Sequence, residues 1–256
     1  MTTTVLYEHG AHRNVWLDVQ ADGTAVPTNQ HLIVHEGIGV ILDPGGHKLY
    51  SQVLAATHNE LKQGRLEHIL LSHQDPDIVA ALNGWLMTTD ATAWVSALWT
   101  RFVPHFGVDR FVVPRLKPIA DEGMWLSLGS SELLVLPAHF LHSPGNFQVY
   151  DPISKVLYSG DLGASVDEEE VFVSDWDTHA AKMRGFHRRY MASRRAGAAW
   201  AKVARSLDIE VIAPQHGAAF KGRKIVEQFI DWVEREECGV DLIDDLYKLP
   251  TRQGPT

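Results

Sequence analysis

Ser72-His73-Gln74-Asp75-Pro76-Asp77-Ile78 is the stretch from which the rest of the chain is best read. The apolar run His68-Ile69-Leu70-Leu71 leads into it, and Val79-Ala80-Ala81-Leu82-Asn83-Gly84-Trp85-Leu86 follows. Strand-forming residues, then metal-capable side chains at alternate positions, then a helical pattern place the stretch on a strand-to-helix loop. Alternate residues of an extended chain point the same way. His73 and Asp75 therefore reach toward one point, and Asp77 toward the same point or a neighbouring one. A plainer reading fits the same residues: Asp75 as N-cap, Pro76 at the first helical position, Asp77 against the positive helix end. The segment alone does not choose between a metal loop and a capped helix start.

The whole chain narrows the choice. Its 256 residues fit one large domain or two small ones, and 45% apolar with 21% charged residues is ordinary for a soluble protein with a sizeable core. A formal charge of −9 disfavours a broad footprint on nucleic acid or anionic membrane, while leaving room for a local basic groove. The single cysteine, Cys238, rules out an internal disulfide framework and thiolate zinc sites. No basic region followed by a long apolar run opens the chain, and no stretch approaches a membrane span. A cytoplasmic protein with no nucleic-acid or membrane partner is the expectation. Fourteen histidines invite a search for metal spacing.

Working outward, residues 4–43 read as short strands: Val5–His9, Asn14–Val19, His31–His35 and Val40–Asp43, with a turn at Ala21-Asp22-Gly23-Thr24. Helical spacing runs over 48–63. Ala93–Ser96 and Arg110–Pro114 read as strands with a helical piece around Leu98–Phe102 between them. The β pattern returns at Met124–Leu128, Glu132–Leu136, Phe147–Tyr150 and Val156–Ser159. A long Ala- and Arg-rich helical region, 177–206, precedes a strand at Glu210–Pro214 and a helix over 222–237. Two blocks, each a β meander followed by helices, predict two sheets face to face with helices outside. This is an α/β (α+β) αββα sandwich forming one domain over 1–249, with 250–256 expected to fray.

Metal-capable residues recur where these strands end: His142 in Leu141-His142-Ser143-Pro144, Asp161 in Ser159-Gly160-Asp161, and His216 in Ala213-Pro214-Gln215-His216-Gly217. Rigid scaffolds present functional groups on such loops. Taken singly each has an ordinary explanation as a solvated, capping or turn residue, and Asp43 before Pro-Gly-Gly reads as a turn residue or a support to the site.

Together they resemble the metallo-β-lactamase superfamily, and within it the diiron domain of flavodiiron proteins. That family's His-x-Glu-Pro-Asp-His stands here as His73-Gln74-Asp75-Pro76-Asp77-Ile78. Its Leu-His-x-Pro is matched at 141–144, eighteen residues separate His142 from Asp161 as in the family, and its Ala-Pro-x-His-Gly closes the set at 213–217. Thr28–Ile33 and Val40–Asp43 look like the superfamily's opening strands.

The resemblance implies that His73, Asp75 and His142 hold one metal, Asp77 and His216 the other, with Asp161 bridging. Three imidazoles and three carboxylates without a thiolate suit two iron ions, with manganese or zinc as alternatives. Asp75, one methylene shorter than the family's glutamate, adds a negative charge where zinc hydrolases usually have a histidine. Ile78 stands where a further histidine completes the second metal's shell, so an open position for solvent or O2 is expected there. His139 and Asn146 are placed beside the pocket. His9, His12 and His31 read as structural histidines, and the Arg184–Arg195 segment as a solvated helix face, with Tyr190 as a dimer contact.

No Gly/Ser/Thr-rich phosphate loop follows, so no FMN is expected within this chain. The chain then resembles the stand-alone oxygen-binding relatives of that family. The expected function is a non-haem diiron protein that binds O2 or another small diatomic as sensor or carrier, working as a homodimer with an electron-transfer or signalling protein. The alternatives are an O2 or NO reductase fed by an external electron donor, and a zinc-dependent metallo-hydrolase.

Overall fold

A computed structural model describes residues 3–17, 19, 26–166 and 170–250. The turn expected at Ala21–Thr24 and the tail 251–256 lie outside the described residues. The first sheet holds β1 (Thr3–His9), β2 (His12–Leu17), β3 (Gln30–His35), β4 (Ile38–Leu42), β5 (Arg65–Leu70), β6 (Thr92–Ser96) and β7 (Leu116–Ile119), in that spatial order. β1 to β4 pair antiparallel, and β4 to β7 pair parallel. The parallel steps need crossovers. α1 (Tyr50–Leu61) joins β4 to β5, and α2 (Pro76–Val79) with α3 (Leu82–Thr88) joins β5 to β6.

The second sheet has the spatial order β13 (Phe220–Lys221), β12 (Val211–Pro214), β11 (Val156–Gly160), β10 (Phe147–Asp151), β9 (Ser131–Pro137) and β8 (Met124–Leu128). β11 and β12 are parallel, linked by α4 (Trp176–Tyr190) and α5 (Arg194–Ala204). α6 (Arg223–Arg235) follows β13, burying Val226, Phe229, Ile230 and Val233 along one stripe.

Alternation along the strands builds the layers. Leu32, Ile41 and Ile69 pack outward under α1 to α3, while their neighbours Ile33, Val40, Leu42 and Leu70 point into the space between the sheets. In the second sheet Val211 and Ala213 face that same inter-sheet core, and Leu157 and Ile212 face α4 to α6. Strands buried on both faces read as continuous apolar runs, which is why they are prominent in the sequence. The αββα architecture is the expected one. Among the described residues no helix is long and apolar enough to cross a membrane.

Several local expectations shift. The strand expected at Arg110–Pro114 is a turn and a 3-10 turn, and β7 begins at Leu116. Asp109 Oδ1 accepts the Phe111 N–H at 2.9 Å, and Pro114 has no N–H to give a ladder, so the strand starts only beyond them. The helical piece near Leu98–Phe102 is a turn leading into a 3-10 turn at Val103–Phe106. The long helix over 177–206 breaks at Met191–Ser193, where Ser193 Oγ caps α5 by accepting the Ala196 N–H.

Buried polar residues stitch the two sheets. Asp151, fully enclosed on β10, accepts from His12 Nε2 (2.7 Å) and Asn14 Nδ2 (2.8 Å) on β2, and from Ser154 Oγ (2.7 Å). These bonds outweigh burial and lower the Asp151 pKa.

Candidate metal centre

The six predicted ligands lie at one edge of the sandwich: His73 and Asp75 on the loop after β5, Asp77 in the first turn of α2, and His142, Asp161 and His216 on the loops after β9, β11 and β12. Three local devices bring the loops together. The Phe147 N–H donates to Ser72 O at 2.9 Å, tying the β5 loop to β10 across the sheets. Gly160, at φ +57, lets the end of β11 pass Ser72, where a Cβ would sit 3.3 Å from the hydroxyl. Asn29 clamps the His216 loop, donating from Nδ2 to Pro214 O (2.9 Å) and Gly217 O (2.8 Å) and from its backbone to Gln215 O (2.6 Å).

Asp161 is the centre. Its Oδ2 lies 3.0 Å from His142 Nε2 and 3.8 Å from His73 Nε2. Its Oδ1 faces the opposite side, 3.5 Å from His216 Nε2, and accepts no hydrogen bond. Asp75 Oδ2 stands 3.4 Å from His142 Nε2 and 3.7 Å from His73 Nε2, while Asp77 Oδ2 stands 3.4 Å from His216 Nε2. Ligand atoms of His73, His142 and Asp161 fall within 4.8 Å of one another. The carboxylates thus divide the site into a His73–Asp75–His142 half and an Asp77–His216 half, with one oxygen of Asp161 turned to each.

The capping alternative for Asp75 does not hold. Asp75 is the N-cap residue of α2 by position, yet its side chain makes no cap hydrogen bond. Oδ2 turns into the pocket instead, and Oδ1 accepts from Gln74 Nε2 at 2.9 Å. Gln74 is itself fixed by Ser143 Oγ, which donates to its Oε1 at 2.6 Å.

Electrostatics follow from this packing. Burial would raise the pKa of Asp161 and of Asp75, but the adjacent histidines overcome it and hold both well below the usual carboxylate range. Burial does raise that of Asp77, with His216 only partly offsetting it. Burial works against charge on His142 and His216, yet the carboxylates facing them push each up to about 9. Every ion-pair partner described for these three carboxylates is an imidazole.

The residues fit a pair of metal ions. His216 Nδ1 lies 2.7 Å from Pro27 O, which can only accept, so Nδ1 carries a proton and Nε2 is the nitrogen turned toward Asp77 and Asp161, the one a bound ion would take in place of its proton. His73 Nδ1 pairs with Ser72 Oγ at 2.9 Å, again freeing Nε2 for the pocket, and Asp43 Oδ1 holds the Ser72 N–H at 2.7 Å. Outer partners of this kind fix the ligating tautomer of metal-binding histidines. Burial raises the Asp43 pKa to about 6 against the opposing hydrogen bond from Ser72.

The residues expected around the ligands fare unequally. Asn146 is fully enclosed next to Gly160, and neither its Oδ1 nor its Nδ2 has a partner. His139 turns away: its Nε2 bonds Asp121 O at 2.8 Å and its ring packs on Phe147. Ile78, fully enclosed, packs into the core between α1–α3 and the first sheet, because residue three of α2 faces that layer. Tyr190 is half-exposed, stacks on Phe186 with centroids 4.5 Å apart, and lies 5.8 Å from the His142 ring. Of the other histidines, His12 pairs with Asp151 and His31 lies between Trp16 and Tyr158. Sequence reasoning missed Phe186, Ser72 and Pro27 as parts of the site. Ser72 adjoins a ligand and was open to notice, whereas Pro27 acts through a backbone carbonyl, which residue identity does not reveal.

This fold and site define a metallo-β-lactamase-like protein with a flavodiiron-type core. Residues 26–217 match the family model described as ODP family beta lactamase, and the chain belongs to that family. A solved structure described as a peroxy diiron species of the chemotaxis sensor ODP is 42% identical, with a TM-score of 0.86 over 95% of this chain and 100% of that one. The apo state of the chemotaxis sensor ODP from T. denticola is 41% identical, with a TM-score of 0.86 over 96% of this chain and 99% of that one. The rubredoxin oxygen:oxidoreductase of the anaerobe Desulfovibrio gigas shares the fold at 17% identity, with a TM-score of 0.70 over 91% of this chain and 62% of that one. No curated protein matches the chain.

Proposed function

We propose that this chain is a non-haem diiron protein that binds O2 or another neutral diatomic, in a sensing role. His73, Asp75 and His142 hold one iron, Asp77 and His216 the other, and Asp161 gives one oxygen to each. The observation that carries the reading is the divided orientation of Asp161, with Oδ2 toward His142 and His73 and Oδ1 toward His216. Identity of 42% along the full length of a diiron chemotaxis sensor supports the same reading.

Two bound irons would supply electrons to a diatomic ligand and take them back on its release. The chain's own residues do the rest. Pro27 O keeps the Nδ1 proton of His216 away from the pocket, and Ser72 Oγ engages His73 Nδ1, so both rings turn Nε2 toward the site. Gln74 and Ser143 hold Asp75 at its angle. The sensing role implies a signalling protein that responds to ligand state.

Protein prepared with iron and reduced without air should contain two irons per chain and develop an absorption band on exposure to O2 that fades on degassing. Two zinc ions per chain with no optical response to O2 would end this reading.

A further inference from the structure

At the edge of the sandwich opposite the metal centre, three histidines stand in a row across the first sheet. His9 is paired with His12 between β1 and β2, and His12 with His35 between β2 and β3. Directly opposed residues of antiparallel strands share a face. All three therefore belong to the face turned toward the second sheet, where His12 meets Asp151. β10 separates the two edges: Phe147 at its start is tied to Ser72 beside the centre, and Asp151 ends it about 13 Å further along.

The hydrogen bonds behind His12 and His35 decide what lies between them. Their Nδ1 atoms are 3.1 Å apart, with the rings tilted by 55° and centroids 5.2 Å apart, so the rings meet by their nitrogens. Burial opposes charge on Asp151, yet the bonds from His12, Asn14 and Ser154 lower its pKa, so it is a carboxylate that accepts from His12 Nε2 at 2.7 Å. His35 Nε2 lies 3.0 Å from Ser130 Oγ, whose one proton goes to Glu36 Oε2 at 2.9 Å. Ser130 can then only accept, and His35 Nε2 donates as well. A neutral imidazole protonated on Nε2 has a bare lone pair on Nδ1. Two lone pairs thus face one another, and a cation between them relieves the repulsion.

The surroundings suit a metal ion. Two nitrogens bound to one ion at about 2.0–2.1 Å stand 3.1 Å apart when the angle at the ion is about 100°, between the tetrahedral and octahedral values. Each ring is backed on Nε2 by an acceptor, the outer arrangement that fixes the ligating tautomer of metal-binding histidines. Every ion-pair partner described for the two rings is a carboxylate, Asp151 for His12 and Glu36 for His35. His9, exposed and next in the row, supplies a third imidazole, and solvent completes the shell. Imidazole ligands suit zinc, copper and nickel.

We propose that His12, His35 and His9 form a second metal site, which takes a borderline divalent cation such as zinc at the edge remote from the first centre. The ion joins β1, β2 and β3, and through Asp151 and Ser130 it ties them to the second sheet. Nothing in this site depends on what the first centre binds.

Crystals of the iron-loaded protein soaked in zinc should show an anomalous peak at the zinc edge between the two Nδ1 atoms. In a calorimeter, iron-loaded protein titrated with zinc should take up one ion per chain beyond those present, with iron content measured before and after to account for exchange. His35→Gln, which spares the Asp151 cluster, should abolish that uptake. His9→Ala, made at an exposed position, should weaken it about tenfold or more. Circular dichroism melts establish that both variants fold. No uptake in solution would overturn the proposal and leave a proton as the cation in the gap. Uptake undiminished in either variant would overturn it too, as would a peak in soaked crystals without uptake in solution, which is binding at crystal concentration only.

Discussion

Asp161 faces His216 with the one carboxylate oxygen that accepts no hydrogen bond, Oδ1 lying 3.5 Å from Nε2. That gap exceeds an ordinary hydrogen bond. Two groups of complementary charge held just out of bonding range, in a pocket that buries Asp161 almost completely, leave room for an ion between them. Replacing Asp161 with Asn keeps the shape and removes the charge. Metal content of Asp161→Asn should fall from two ions per chain to one or fewer, measured by elemental analysis after dialysis. Two ions retained at wild-type affinity would show that Asp161 does not bridge.

The hydroxyl of Ser72 fixes the His73 ring from behind. Ser72→Ala leaves His73 Nδ1 without its 2.9 Å partner and frees the ring to turn. Metal affinity should drop by about 10- to 100-fold, with little change in the fold, as for other outer partners of metal-binding histidines. Calorimetric titration of the metal-free protein measures this, and Ser72→Thr should restore most of the loss.

Asp151 lies at the heart of the polar cluster that joins the sheets. Asp151→Ala strands the His12 and Asn14 groups in an interior position. The expected loss is about 2–4 kcal/mol in urea unfolding, the usual consequence of leaving several buried polar groups without their shared partner. A loss under about 1 kcal/mol would mean that the sheets are held by the apolar core alone.

His31 gives the protein a pH dependence through a buried histidine that is not among the candidate ligands. Burial between Trp16 and Tyr158, with no partner for Nε2, pushes its pKa down to about 3 from the usual 6.5. The folded state therefore holds the ring neutral while the unfolded chain takes up a proton as pH falls through about 6.5. Stability is fully present above that value and is lost progressively on descent toward pH 3. Between pH 7 and pH 5 this residue alone should remove about 2 kcal/mol. His31→Phe, which keeps a ring in place, should flatten that slope in denaturant titrations at the two pH values.

Gly217 turns the chain immediately after His216 at φ +81, and a side chain there would collide with Ser165. Gly217→Ala is expected to lower the melting temperature and metal content together, because the clash displaces the loop that carries the ligand. Unchanged metal content alongside a lowered melting temperature would separate the turn from the site.

The sequence by itself determined the layered architecture, because strands buried on both faces must be written as continuous apolar runs. It also pointed to the cluster of imidazoles and carboxylates that the fold brings together, since their positions after those runs have a recognisable spacing. Where local hydrogen bonds compete with strand or helix, the pattern misled. Asp109 and Pro114 delay β7, and Ser193 begins a second helix where the Ala-rich run reads as continuous.

Only the tertiary structure decided how the site is arranged. Whether Asp75 caps a helix or enters the pocket depends on where His142 arrives from a distant loop. The two faces of Asp161, the carbonyl of Pro27 beside His216 and the Phe186 ring beside His142 arise because packing of the sheets sets loops beside one another that are far apart in the chain. Ile78 shows the division most clearly. Its identity suggests an open coordination position, but only the structure shows that the one-turn helix carrying it directs its side chain into the core.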